Sequence, residues 1–449
     1  SLAPLTILVT APHAQSVVIL GGGLAGLTAA HRLASQGHRV TIVDQPPPLE
    51  GPPPGEQPHD EPEAFTILGC HHDTQALLRS LQADSPQPAL IDIPLEFCLP
   101  DHSLIRYPRT RLPAPLHTWV SLLRFTGLPW NERWQLASWL ERLWEDEEQP
   151  AADLEQRTAG EWLATLGQSP HTCRVVWNPL AQWLTGNDLY TLSADAFVNS
   201  VRPLFLNTRS DSRILIVQNS PQTCLDQPII QALTKAGTTI LRKAEALEFR
   251  YERDRISGVL LKDGSLLQAD WYITALPPQQ LTPLIPERWL TRYAYFQQLA
   301  LLRSSDSTTV LTETEQPCAA PRLILLGDTA FHSVLATRRG PDLTSFSLVT
   351  TDSRFAQAQL SQDLESLIPD LLRSLGLLRP GSRITTTSRR TIPHAILSLK
   401  PGTKPHRPIQ RSPIANLLVA GAWTDTGWPP NLESAIVSGN RSADAIILR

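Results

Sequence analysis

An apolar strand that runs into a glycine turn and then into a helix, Val17-Val18-Ile19-Leu20-Gly21-Gly22-Gly23-Leu24-Ala25-Gly26, constrains this chain more than any other feature. Gly21, Gly23 and Gly26 fit the spacing G-x-G-x-x-G. The first permits a tight turn, the second lets a diphosphate approach the backbone, and the third lets helix pack on strand. The start of the helix then offers free N–H groups to the phosphates. Downstream, Leu24, Leu27, Ala30 and Leu33 recur at helical spacing, Gly37 ends the helix, and Val40-Thr41-Ile42-Val43 reads as a second parallel strand closing at Asp44. An acid at that strand end takes ribose hydroxyls and repels a 2′-phosphate. The unit predicts an α/β fold with a Rossmann-like dinucleotide site held by Gly21, Gly22, Gly23, Leu24, Ala25, Gly26 and Asp44.

With 449 residues the chain can form two domains, or one interrupted by another. Its net charge of -4 gives no general reason to bind nucleic acid. The five cysteines, Cys70, Cys98, Cys173, Cys224 and Cys318, are widely spread and form no C-x-x-C pair. They predict reduced thiols in a cytoplasmic protein rather than a disulfide frame or zinc site. His71-His72-Asp73 stands without a second ligand cluster, so a capping or solvated role is expected and no metal site. No run approaches membrane-spanning length, and Leu5–Val9 is too short for a signal core.

The stretch from Gln45 to Pro58, dense in proline, reads as a surface loop directly after the ribose-binding acid. Leu112 to Trp183 reads as helices carrying Trp119, Trp130, Trp134, Trp139, Trp144, Trp162, Trp177 and Trp183. Strands are expected at Ile214–Val217, around Ile256–Leu261 and at Trp271–Ala275, with a hairpin at Asp263-Gly264. A last strand, Asn416–Ala420, leads through Gly421 to a closing helix near Leu432–Leu448.

Three segments carry a family resemblance: the Gly21–Gly26 turn, Leu276-Pro277-Pro278 at the end of a middle strand, and Leu418-Val419-Ala420-Gly421-Ala422-Trp423-Thr424-Asp425-Thr426-Gly427-Trp428-Pro429. They resemble the phytoene desaturase and amine oxidase superfamily of flavoproteins. Leu68-Gly69-Cys70, Leu116–Leu128 around Leu122-Leu123-Arg124-Phe125, Glu161-Trp162-Leu163 with Gly167-Gln168-Ser169-Pro170, and Trp177-Asn178-Pro179-Leu180 resemble the hydroxysqualene dehydroxylases within it. The resemblance spans Val17 to Ala445 and implies FAD rather than NAD. A flavin is long, so a second segment from the far end of the chain must hold its ribityl and ring parts. The glycine- and proline-rich Gly421–Asn431 turn suits that task. Added cofactor contacts are therefore expected at Ala275, Pro277, Gly421, Ala422, Thr424, Trp428, Pro429, Asn431 and Leu432.

The implied architecture is a discontinuous FAD-binding half (15–95, 210–285, 410–449) with an inserted mixed, largely helical substrate half (96–209, 286–409). The implied reaction is reductive dehydroxylation of hydroxysqualene to squalene. A carotenoid or phytoene desaturase-type oxidation is the enzyme alternative, and a degenerate FAD- or isoprenoid-binding relative is the other. Protonation of a leaving hydroxyl needs an acid near the flavin, and Asp425 is the candidate, with capping of the closing helix as its competing role. Glu433 reads as an N-terminal charge favourable to the helix dipole. Relatives carry Gly-Asp where this chain has Gly421-Ala422, and the lost hydrogen bond weakens FAD binding roughly tenfold. A glycine-arginine motif after the ribose acid is replaced by Pro46–Pro54. The expected substrate is a hydrophobic isoprenoid. Leu116–Trp144 combines tryptophans with Arg124, Arg133 and Arg142, as helices at the inner membrane face do, and as the amphipathic core of a helical domain also does. An electron donor and other isoprenoid-pathway enzymes are the further expected partners.

Overall fold

The computed structural model describes residues 14–44, 64–81, 90–144, 151–318, 320–351 and 361–448. Pro46–Pro54 and Leu5–Val9 lie outside them. Continuous apolar runs buried on both faces favour parallel pairing. Five strands form one sheet, the central ones such runs: β1 (Ser16–Leu20), β2 (Arg39–Asp44), β3 (Thr239–Arg242), β4 (Trp271–Thr274) and β5 (Leu417–Val419), in the spatial order β5-β4-β1-β2-β3, with β3 a partly exposed edge. All pairs are parallel, with Leu20 opposite Val43 and Thr274, and Thr274 opposite Val419. Segments from the beginning, middle and end of the chain thus meet in one sheet, as the α/β reading requires.

Six helices matter below: α1 (Leu24–Ser35), α2 (His72–Leu81), α3 (Leu116–Arg124), α4 (Trp130–Trp144), α5 (Ala194–Phe205) and α6 (Leu432–Ile447). α1 and α6 pack together over the parallel sheet, burying Ala29, Ala30 and Leu33 with Ile436 and Ala443. The contact is close because Gly439 has no side chain: a Cβ there would lie 2.4 Å from the Ala25 carbonyl oxygen. The Asp263-Gly264 hairpin forms as expected, with Leu261 N–H bonded to Ser265 O at 2.8 Å.

The tryptophan-rich region divides by face. Trp139 and Trp162 are buried edge to face, 4.8 Å between centroids. Trp130 and Trp134 are 63% and 58% exposed, and the Arg133 guanidinium lies 5.9 Å from the Trp130 ring. The amphipathic-core reading holds on the buried side of this region, and the opposite side of α4 leaves two tryptophans exposed. No helix among the described residues is long and apolar enough to cross a membrane.

The largest element not read from the sequence is a seven-stranded sheet. In spatial order it comprises Ile384–Leu397, Ser304–Glu315, Leu343–Thr350, Ser333–Arg338, Arg322–Leu326, Leu95–Cys98 and Leu104–Arg106. It gives the 286–409 portion a strand-rich character beside the helices of the 96–209 portion. The buried carboxylate of Glu96 is held there by Arg106 at 2.9 Å and Arg322 at 2.6 Å.

Candidate functional site

The carboxyl ends of β1, β2, β4 and β5 converge, and the backbone ladder continues one residue past β1, β4 and β5. Gly21 N–H donates to Val43 O (2.9 Å), Ala275 N–H to Leu20 O (2.7 Å) and Ala420 N–H to Thr274 O (2.8 Å). Gly21, Asp44, Ala275 and Gly421 are thereby gathered at one sheet edge, where open α/β sheets bind ligands.

The glycines have separate jobs. Gly21 has φ +109°, and a Cβ would sit 2.8 Å from Ala275 O. A Cβ on Gly26 would fall 2.1 Å from Gly21 O, so only glycine lets α1 approach the turn. A Cβ on Gly22 would meet the Asp44 carboxylate at 2.4 Å, which places that acid directly beside the turn. Around Gly23 there is open space, and α1 starts there without a side-chain cap, with Leu24 and Ala25 in its first turn. A bare helix start facing open space fits a diphosphate.

The second segment is a knot of short polar contacts. Gly421 has φ +148° and its N–H donates to Ser438 Oγ at 3.0 Å. Thr424 Oγ1 donates to Gly421 O (2.8 Å), shares a hydrogen bond with Ser438 (2.7 Å) and accepts from Gln410 Nε2 (3.0 Å). Ser434 Oγ donates to Ala422 O at 2.8 Å. Asn431 Oδ1 accepts from Ser434 N–H at 2.9 Å and caps α6, which Leu432 opens. The Thr424 and Asn431 side chains therefore hold the turn itself. Trp428 meets His71 edge to face at 5.5 Å, Pro429 is buried beside it, and Pro277 directly precedes the short Pro278–Leu281 helix after β4.

Sequence reading missed Arg407. Its guanidinium donates to the carbonyls of Ala422 (3.2 Å), Trp423 (3.2 Å), Thr424 (2.6 Å) and Trp428 (3.0 Å). Burial pushes its pKa down to about 10, with Asp425 and Glu155 opposing. Nothing local marks this arginine; its acceptors lie 15–21 residues away. Asp425 is half-buried in a polar cleft with Glu155, Asp195, Lys404 and Arg407, and it accepts from Gly427 N–H at 3.3 Å. Asn431, not Asp425, caps the closing helix.

Glu433 stands where it was read, and has a further role. It sits in the first turn of α6, 1% exposed, yet accepts from Asp73 N–H (3.0 Å), Thr74 N–H (2.8 Å) and Thr74 Oγ1 (2.6 Å), the start of α2. It caps a helix from the other end of the chain. Burial raises its pKa, opposed by those donors. In the same stretch His72 pairs with Asp211 at 2.8 Å, and no metal-type cluster occurs among the described residues.

His71 is buried, and its Nδ1 accepts from Leu68 N–H at 3.3 Å while Nε2 has no protein partner among the described residues. An orphaned polar atom beside Trp428, the open space at Gly23 and the glycine cradle fit a bound dinucleotide. Burial, with His72 adding, lowers the pKa of His71 to about 4; burial does the same to His332. Unfolded, both titrate near 6.5, so the folded state binds fewer protons. Stability is full above 6.5 and falls as pH drops from there toward 4. The loss approaches about 3 kcal/mol per histidine. Denaturant unfolding at pH 7.5 and 4.5 measures it, and His71→Phe with His332→Phe should flatten the dependence; an unchanged slope in that double variant disproves the assignment.

An apolar cavity, open at its mouth, lies among the helices, walled by Phe97, Leu122, Phe125, Trp139, Trp162, Trp177 and Phe197. Its lining is almost wholly apolar.

The model of the flavin containing amine oxidoreductase family matches residues 66–447, and an FAD binding domain model matches residues 16–52. The chain is 24% identical to a 15-cis-phytoene desaturase of Synechococcus elongatus, covering 96% of both chains. It is 24% identical to a probable zeta-carotene desaturase of the same organism, covering 96% of this chain and 98% of that one. An oxidoreductase from Methanosarcina mazei shares the fold at TM-score 0.70 and 14% identity, over 97% of this chain and 100% of the other.

Proposed function

The chain belongs to the flavin containing amine oxidoreductases, and on that premise we propose that it is an FAD-dependent oxidoreductase acting on a long-chain isoprenoid, by carotenoid desaturase-type chemistry. One observation carries the reading: Gly21–Gly26, Asp44 and the Gly421–Asn431 turn meet at one sheet edge in a chain matched end to end with carotenoid desaturases. Bound FAD supplies a two-electron acceptor or donor. The protein's part is to bind and orient. The α1 N-terminus and Gly23 receive the diphosphate, Asp44 takes the ribose hydroxyls, and the Arg407-tied turn fixes the ring end. We assign the segments 15–95, 210–285 and 410–449 to the cofactor half and 96–209 and 286–409 to the substrate half. The apolar cavity keeps water from an isoprenoid chain, which hydride chemistry at an allylic carbon requires.

Reductive dehydroxylation of hydroxysqualene is the second reading, favoured by the Trp423-Thr424-Asp425-Thr426-Gly427-Trp428-Pro429 string and by Asp425 as a proton donor. The polar, partly open cleft around Asp425 supports it less well than an apolar wall would, since quenching an allylic cation by hydride needs water kept out. Electron direction separates the two. Anaerobic incubation of the flavin-loaded protein with phytoene should bleach oxidised flavin under desaturation. Reduced flavin that reoxidises only with hydroxysqualene, releasing squalene, replaces that reading with dehydroxylation. A protein that FAD cannot saturate overturns both.

A further inference from the structure

A second, polar cavity adjoins the apolar one and has the opposite chemistry. About 1250 Å³ of solvent-open space is lined by Arg109, Arg111, Arg209 and Arg213, with Asp92 the only carboxylate on its wall among the described residues. Asp92 accepts from Arg109 and, at 3.1 Å, from Arg213. Arg111 and Arg209 make no ion pair among the described residues and are exposed. Ser212 and His117 add hydrogen-bonding groups, 3.3 Å apart. In a chain of net charge -4, four guanidinium groups facing one carboxylate are a local excess that calls for an anion.

The two spaces share Tyr107, Thr118 and Phe205 as wall, so no more than the thickness of those side chains divides them. The rings of Tyr107 and Phe205 touch edge to face at 5.4 Å. The arginines come from two loops, one after the Leu104–Arg106 strand and one between α5 and the Ile214–Val217 strand, while α3, α4 and α5 build the apolar side. A ligand that satisfies both carries several negative charges at one end and an apolar chain at the other. Planar guanidinium groups pair bidentately with phosphate oxygens.

We propose that this paired cavity is a binding site for a phosphorylated isoprenoid, with its diphosphate among Arg109, Arg111, Arg209 and Arg213 and its hydrocarbon tail past Tyr107 and Phe205 in the apolar cavity. The isoprenoid tail rests on the proposed substrate class, whereas binding requires neither flavin nor a direction of electron flow, so failure of the redox reading and failure of this site are distinguishable.

Binding to the purified full-length chain, followed by quenching of tryptophan fluorescence and by calorimetry, tests it with three soluble probes and one surface. Farnesyl diphosphate should bind at least tenfold more tightly than farnesol or inorganic diphosphate alone, and more weakly as salt rises. The double variant Arg111→Gln/Arg209→Gln should lose at least tenfold for farnesyl diphosphate while farnesol binding stays as it was, which also reports an intact fold. Val201→Phe, narrowing the apolar cavity, should weaken both prenyl probes and spare inorganic diphosphate. Equal affinity for diphosphate and alcohol, or indifference to the arginine variant, overturns the proposal. So does arginine-dependent binding to phosphatidylglycerol vesicles without binding of farnesyl diphosphate, which assigns these arginines to a membrane surface instead.

Discussion

Arg407→Met is expected to destabilise the protein by about 3–5 kcal/mol, the range for removing one partner of a buried charged network, and to weaken FAD binding at least tenfold. The reason lies in what the guanidinium holds. Four carbonyls from Ala422 to Trp428 point at one cation; Ala422 O has a second donor in Ser434 Oγ, and among the described residues no backbone N–H serves any of the four. Methionine keeps the apolar stem and removes every donor, so the turn loses its anchor while the surrounding packing stays. Arg407→Lys should recover part of the loss, because an ammonium has three donors and lacks the planar fork. Thermal unfolding and a flavin titration on the same samples check both effects. Wild-type FAD affinity in a folded Arg407→Met protein would show that this turn does not hold the cofactor.

That arginine also shows where sequence reading stops. The glycine turn, Asp44, the Trp271–Thr274 strand and the closing strand and helix were legible because each signal is local: an apolar run, a glycine, a helical period. Their meeting at one sheet edge follows from parallel pairing, which short apolar strands favour. Arg407 has no such mark, since its role is set by carbonyls brought to it by the fold. Glu433 was legible as a charge at a helix start but not as the cap of α2, whose backbone lies some 360 residues earlier. The seven-stranded sheet was hidden for another reason. In Ser304–Glu315 the inward positions include Thr308, Thr312 and Thr314. A strand whose buried face is threonine shows no apolar alternation, although threonine suits the pleat through its β-branch. Ser434 and Ser438, one turn apart on α6, were a readable signal: two small hydroxyls on one helical face mark a close polar contact.

The glycine turn itself gives the sharpest division between fold and cofactor, through two substitutions with opposite signatures. Gly26→Val places its Cβ 2.1 Å from Gly21 O and 3.1 Å from the Ala275 side chain. α1 cannot retreat, because α6 backs it at Gly439, whose own missing Cβ leaves no slack against Ala25 O. The overlap must displace the Gly21–Gly23 turn, at an overpacking cost of about 1–3 kcal/mol, and FAD affinity should fall by about a hundredfold or more. Gly23→Ala differs in every structural respect. Nothing lies within 4 Å of its new methyl, and the backbone there, φ -74°, accepts any residue. Folding stability should stay within about 0.5 kcal/mol of wild type, as for a surface change. The methyl nevertheless occupies the open space through which a diphosphate reaches the α1 N–H groups, so FAD binding should still fall at least tenfold. Flavin retained per chain and the denaturation midpoint, measured side by side, read both signatures. If Gly23→Ala keeps full flavin, the diphosphate does not lie over this turn, and the cofactor assignment of Gly21–Gly26 fails even though the helix and strand are where the sequence placed them.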